Sequence, residues 1–202
     1  MTTSKHLFVA LGLTAALLGA EAAAGQAPAD DHCAQAAKPS PFRRSEGQYD
    51  VPDVPLRDQS GRPFAIRELQ SGSGPVAVNF IFTTCTTICP VMTATFAQMR
   101  RELGADAGRV RLVSISIDPE HDTPPVLASY AERFDAAPGW TFLTGSPGDV
   151  DRVLRAFEVR TGTKTSHRPV TLLLRPERAG WVRLEGLGSG AELAAEVRTL
   201  LD

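Results

Sequence analysis

The chain has no run of like charges, only three cysteines and four histidines among its 202 residues, and a formal charge of -2. That balance gives no electrostatic footprint for nucleic acid, which is set aside as a partner. The apolar run near the start is too short for an easy bilayer span, which takes roughly 20 residues. Internal repeats are absent, as is any sign of an attached signalling domain, and the length suits one globular domain behind a leader.

What is present begins with that leader. Lys5 and His6 make a basic start, Leu7 to Ala20 an apolar run, and Ala20-Glu21-Ala22 or Ala22-Ala23-Ala24 a small-residue cleavage site. Residues 1–24 therefore read as a secretory signal, with an uncleaved anchor as the alternative. Export places the protein in the periplasm or on the outer face of the inner membrane, where thiols meet oxidising conditions. Residues 25–46 are rich in Ala, Pro and charge without periodicity and read as a flexible linker. Within them Cys33 is a tail thiol, and His32-Cys33 as an auxiliary copper ligand ranks below that plain reading.

Residues 47–202 carry the regular elements. Tyr49 to Leu69 is expected to form a hairpin about Asp58-Gln59-Ser60-Gly61. Val76 to Phe82 is apolar on both faces and belongs in the middle of a parallel sheet. A helix follows from Pro90 to Leu103, with Met92, Phe96, Met99 and Leu103 on one stripe that reads as core rather than as soft metal ligands. Next come a strand (Arg109 to Ile117), a helix (Pro124 to Phe134), a strand (Trp140 to Leu143), and a helix capped by Ser146 that runs to about Val159. Strands at Val170 to Leu174 and Trp181 to Leu187 and a helix from Ala191 to Leu201 close the domain. The order predicts an α/β fold of the thioredoxin-like type, a central mixed sheet flanked by helices with an N-terminal β-hairpin.

The chemistry lies in Phe82-Thr83-Thr84-Cys85-Thr86-Thr87-Ile88-Cys89-Pro90, between the first long strand and its helix. Open α/β sheets bind ligands at that carboxyl edge. A helix start favours thiolate over thiol, and both disulfide exchange and metal capture need the thiolate. Three intervening residues let both sulfurs converge on one soft ion such as Cu(I), and still permit a disulfide. Two thiolates leave the metal short of ligands. His6 and His32 precede the domain, so His121 and His167 are the candidates for a third donor. His167 lies in Thr161-Gly162-Thr163-Lys164-Thr165-Ser166-His167-Arg168-Pro169, which in thioredoxin-like folds packs against the cysteine turn, with Pro169 where a cis-proline often stands. Its plainer reading is an exposed loop histidine. His121 reads as part of a capping loop before a helix.

The cysteine motif, then Ser114-Ile115-Ser116-Ile117-Asp118-Pro119-Glu120-His121-Asp122-Thr123-Pro124, then a late histidine ahead of a strand, resemble the Sco/SenC family from about residue 47 to the end. The resemblance implies a thioredoxin-like copper metallochaperone of the bacterial envelope, with Cys85, Cys89 and His167 as ligands and the cysteines cycling through a disulfide. It also implies delivery of Cu(I), with Cu(II) a further form, to the copper-bearing subunit of cytochrome c oxidase, and dealings with other envelope copper or thiol-redox proteins. Two positions depart from the pattern: His121 stands where arginine is usual, and Arg168-Pro169 follows His167 where Ser or Thr leads into the strand. The rival function is an envelope thiol-disulfide oxidoreductase that needs the cysteines but no metal. A peroxidase ranks third for want of a Pro-x-x-x-Thr-x-x-Cys pattern, and a copper or redox sensor would use the same residues.

Overall fold

The computed structural model describes residues 40–136, 138–177 and 180–201. The expected signal, most of the expected linker, His32 and Cys33 lie outside the described residues. Eight strands form one mixed sheet: β1 (Arg43–Gly47), β2 (Pro55–Asp58), β3 (Pro63–Ala65), β4 (Val76–Ile81), β5 (Arg111–Ser116), β6 (Trp140–Thr144), β7 (Val170–Leu174) and β8 (Trp181–Glu185). Their order across the sheet is β1-β8-β7-β4-β5-β6-β2-β3.

β4, β5 and β6 run parallel, and every other pairing is antiparallel. β4 is central, as its six buried residues require, but parallel to β5 alone. Its other neighbour is β7, which runs the opposite way. The mixed sheet is as expected, but the strand placed in the middle of its parallel part stands where the parallel and antiparallel parts meet. The hairpin forms as β2 and β3, and β2 also pairs with the edge of β6.

Residues 43–46, assigned to the linker from sequence, are part of the sheet: β1 pairs along its whole length with β8. In its sequence Arg-Arg-Ser-Glu-Gly all four side chains are exposed and Gly47 has none, so no period-2 apolar signal marks it. What holds it is backbone pairing and the buried ring of Phe42 just before it.

The pleat of β4 sorts the core into two. Ala77 and Ile81 face a cluster built on three helices, α1 (Ile88–Leu103), α2 (Pro124–Arg133) and α4 (Gly190–Arg198). Val76, Val78 and Phe80 face a second cluster with α3 (Pro147–Ala156), Phe157 and Trp181. The Met92–Phe96–Met99–Leu103 stripe is buried, as core, against the sheet. Gly104, at φ +57°, ends α1, a left-handed position that glycine fills without strain.

Candidate functional site

β4 ends at Ile81, and residues 82–87 turn the chain into α1, which starts at Ile88. The helix begins two residues earlier than its sequence suggested, so Cys89 sits inside its first turn and Cys85 in the loop ahead of it. The Cys85 N–H closes the turn on the Phe82 carbonyl at 3.2 Å. Thr87, at the cap position, makes no side-chain cap bond. The Cys85 sulfur caps the helix instead, accepting the free N–H of Cys89 at 3.4 Å with the Thr87 hydroxyl at 3.6 Å.

Both cysteines are free thiols, Cys85 half-buried and Cys89 fully buried. Their environments push them apart. Burial acts to raise Cys85, but the N–H groups of Cys89 and Thr87 and the adjoining thiol and hydroxyl outweigh it and bring the thiol down to about 7. Burial dominates at Cys89, and Cys85 and the Asp122 charge add to it, pushing that thiol up to about 12. No charged residue occurs from Val76 to Met99, and the thiolate preference of Cys85 rests on the N–H groups at the helix start together with the Cys89 thiol and the Thr87 hydroxyl.

Behind the turn lies a polar cluster. Asp122 is fully buried. It receives the Thr83 N–H at 3.2 Å, the Thr83 hydroxyl at 2.5 Å and the Ser116 hydroxyl at 2.6 Å. Ser116 in turn accepts the Asp118 N–H at 3.0 Å. Asp118 pairs with Lys164 at 2.6 Å, which ties this loop to the segment ahead of His167. On the helix side, the Thr93 hydroxyl bonds the Cys89 carbonyl and meets the Tyr130 hydroxyl, each at 2.9 Å.

His167 is buried, not exposed on its loop. Its Nε2 lies 3.0 Å from the Phe80 carbonyl, and its Nδ1 is buried without a hydrogen-bond partner. A carbonyl only accepts, so Nε2 carries the proton and Nδ1 the lone pair. Burial lowers the imidazole below its ordinary value, offset in part by the Phe80 bond. Among the described residues, no three His, Cys, Asp or Glu side chains are grouped so as to hold a metal. The fold thus brings Cys85 and Cys89 together and sets His167 against the strand that leads into their turn. His121 is largely exposed, its Nδ1 3.8 Å from Asp118, in keeping with a loop before a helix.

Thr83, Ser116, Asp122, Thr93, Tyr130 and Lys164 are parts of the site that the sequence pattern does not reveal. The one available signal is Ser116-Ile117-Asp118-Pro119-Glu120-His121-Asp122, visible as a motif but without a role that its residue types alone would assign.

The SCO1/SenC family model matches residues 45–202. The chain belongs to the SCO1/SenC family. Over 114 residues it is 37% identical to the SCO1 protein homolog of Bacillus subtilis, covering 54% of this chain and 58% of that protein. The chain spans about half the length of the SCO1/SenC relatives it matches in sequence. Among solved structures, copper-bound ScoI of Bradyrhizobium japonicum is 26% identical with a TM-score of 0.61, covering 76% of this chain and 98% of that one. BsSco, described with a disulfide switch and as a member of the Sco family of cytochrome c oxidase assembly proteins, is 26% identical with a TM-score of 0.64, covering 77% and 95%. The thioredoxin-like fold expected from the order of elements is the fold of these SCO1/SenC relatives.

Proposed function

We propose that this chain is a metallochaperone that takes up Cu(I) as cargo on Cys85 and Cys89, with His167 as third donor, and delivers it to the copper-bearing subunit of cytochrome c oxidase. The observation that carries the reading is the thiol pair itself: two free thiols at a helix start, already in contact, one brought to about 7. Thiolates are soft donors suited to Cu(I), and imidazole suits copper as well. His167 fits the part. A metal-binding histidine commonly donates its other ring N–H to a carbonyl, and here Nε2 bonds Phe80 while Nδ1 is left with a lone pair and no partner. Engaging all three donors requires the loop of residues 161–169 to bring the imidazole to the sulfurs. Copper-bound members of the family support the reading.

Anaerobic titration with Cu(I) against a competing chelator tests it. One ion per chain is expected, lost in Cys85→Ala and Cys89→Ala and weakened in His167→Ala. Unchanged affinity in both cysteine variants would sink the proposal.

A second reading, a thiol-disulfide oxidoreductase, draws on the asymmetry of the pair, an accessible low-pKa thiol beside a buried high-pKa one. Disulfide reduction of a partner that persists at full rate in His167→Ala would favour it. The setting for either is the bacterial periplasm or the outer face of the inner membrane. No helix of the described residues is long and apolar enough to cross a membrane.

A further inference from the structure

We infer that Asp122 is a positioning residue for the dithiol turn, acting on Cys85 and Cys89 through hydrogen bonds to Thr83 and Ser116. The inference deepens the proposed function and rests on the thiol pair being its working part. Asp122 is fully buried, and among the described residues no Lys, Arg or His lies within ion-pair distance of it. A carboxylate buried without a cation is costly unless hydrogen bonds satisfy it. Here they come from a narrow source. Two groups of Thr83, its N–H and its hydroxyl, and the Ser116 hydroxyl point at the two oxygens.

Thr83 stands two residues before Cys85, at the point where the chain leaves β4 for the turn. Ser116 is the last residue of the neighbouring strand β5, and the Asp122 N–H is tied to the Asp118 carbonyl at 2.9 Å. The carboxylate thereby clamps the ends of two adjacent parallel strands, and the cysteine turn is built from one of them. Three hydrogen bonds from two chain segments fix the carboxyl group, and with it the spacing of the two strand ends. Its charge also reaches Cys89. Asp122, at the end of the Ser116-to-Asp122 motif, thus holds the backbone from which the first thiol projects.

The test uses the full reduced chain and the variants Asp122→Ala, Asp122→Asn and Thr83→Val. Cu(I) affinity is read by competition with a chromophoric chelator, the Cys85–Cys89 disulfide equilibrium in glutathione buffers, and folding by thermal circular dichroism. Asp122→Ala is expected to lose roughly 10- to 100-fold in Cu(I) affinity, the range for partners that orient metal ligands, and to shift the glutathione equilibrium. Asp122→Asn should recover most of both, because the amide oxygen can accept from Thr83 while its NH2 donates to Ser116. Adding Thr83→Val to Asp122→Ala should cost little more, since one interaction is removed twice.

A folded Asp122→Ala with wild-type affinity and wild-type disulfide equilibrium overturns the inference. So does Asn at 122 behaving as badly as Ala, which would make charge rather than geometry the cause. If Asp122→Ala does not fold, Thr83→Val decides: unchanged affinity and equilibrium in that variant overturn it. Should the wild-type chain take up no Cu(I), the copper reading fails separately, and the disulfide equilibrium alone judges Asp122.

Discussion

The backbone N–H of Cys89 donates to the sulfur of Cys85 across 3.4 Å, so the first thiol serves as the acceptor that α1 lacks at its own start. The contact is directional. It stabilises a thiolate on Cys85 and does nothing of the kind for Cys89, which is buried inside the first turn of the helix.

Reactivity toward an alkylating agent should follow that direction. With Cys85 at about 7 and Cys89 at about 12, iodoacetamide labelling of the reduced protein should rise at Cys85 through pH 6 to 8, half-complete near 7. Cys89 should stay unlabelled throughout. Mass spectrometry of quenched samples resolves the two sites, and equal labelling at neutral pH would contradict the asymmetry.

Copper capture should inherit a bend from the same pair. Below pH 7 both thiols carry protons, so binding Cu(I) to two thiolates releases two, and apparent affinity should climb about a hundredfold per pH unit. Above 7 Cys85 is already ionised, and the climb should fall to about tenfold per unit. Burial lowers the His167 imidazole below its ordinary value, so its own proton adds less to the slope than that of a solvated histidine. Chelator competition from pH 6 to 8, corrected for the chelator's own protonation, reads the bend. A single slope throughout would mean that neither thiol ionises between pH 6 and 8, against a Cys85 thiol at about 7.

The metal-free protein should lose stability in mildly acidic solution through His167. In the unfolded chain this imidazole titrates near 6.5, while in the fold burial holds it lower. As pH falls through 6.5 the unfolded state binds a proton that the folded state does not, so unfolding is favoured, by at most about 1.4 kcal/mol per pH unit. Urea unfolding at pH 7, 6 and 5 should show a steeper loss in the wild type than in His167→Gln. The carboxylates Asp58, Asp149, Asp151, Glu177 and Glu185, lowered in the fold from 3.8 or 4.5, lose their contributions mostly below this window, and the Cys85 thiol, brought to about 7, acts alike in both chains. Parallel pH profiles would show that His167 is as solvated as an ordinary loop histidine.

Legibility in the sequence followed the kind of force at work. Val76 to Ile81 and the Met92–Phe96–Met99–Leu103 stripe declared themselves because apolar burial leaves a period in the text. Cys85 and Cys89 were legible because their chemistry is carried by residue type and by a local strand-to-helix junction. Asp122 was not. An acidic residue before Thr123 and Pro124 looks like helix-start chemistry, and its bonds to Thr83 join loops 39 positions apart that meet only when β4 and β5 pair. The burial of His167 was hidden for the same reason, since the Phe80 carbonyl lies 87 positions away.

β1 shows what a missed element contributes. Its own side chains face solvent, but the Phe42 ring ahead of it joins the α1 and α4 core and packs so closely on Gly188 that a Cβ there would collide with it. Phe42→Ala should therefore destabilise the domain by about 3 kcal/mol, the low end for a buried phenylalanine because the ring keeps some exposure. A chain shortened to start at residue 47, where the sequence pattern places the start of the domain, should lose this and also bare the backbone of β8, opening a sheet edge to association. Comparing urea midpoints of chains starting at 40 and at 47, with light scattering to detect association, tests both effects. Equal midpoints and no self-association would show that the segment is a linker after all.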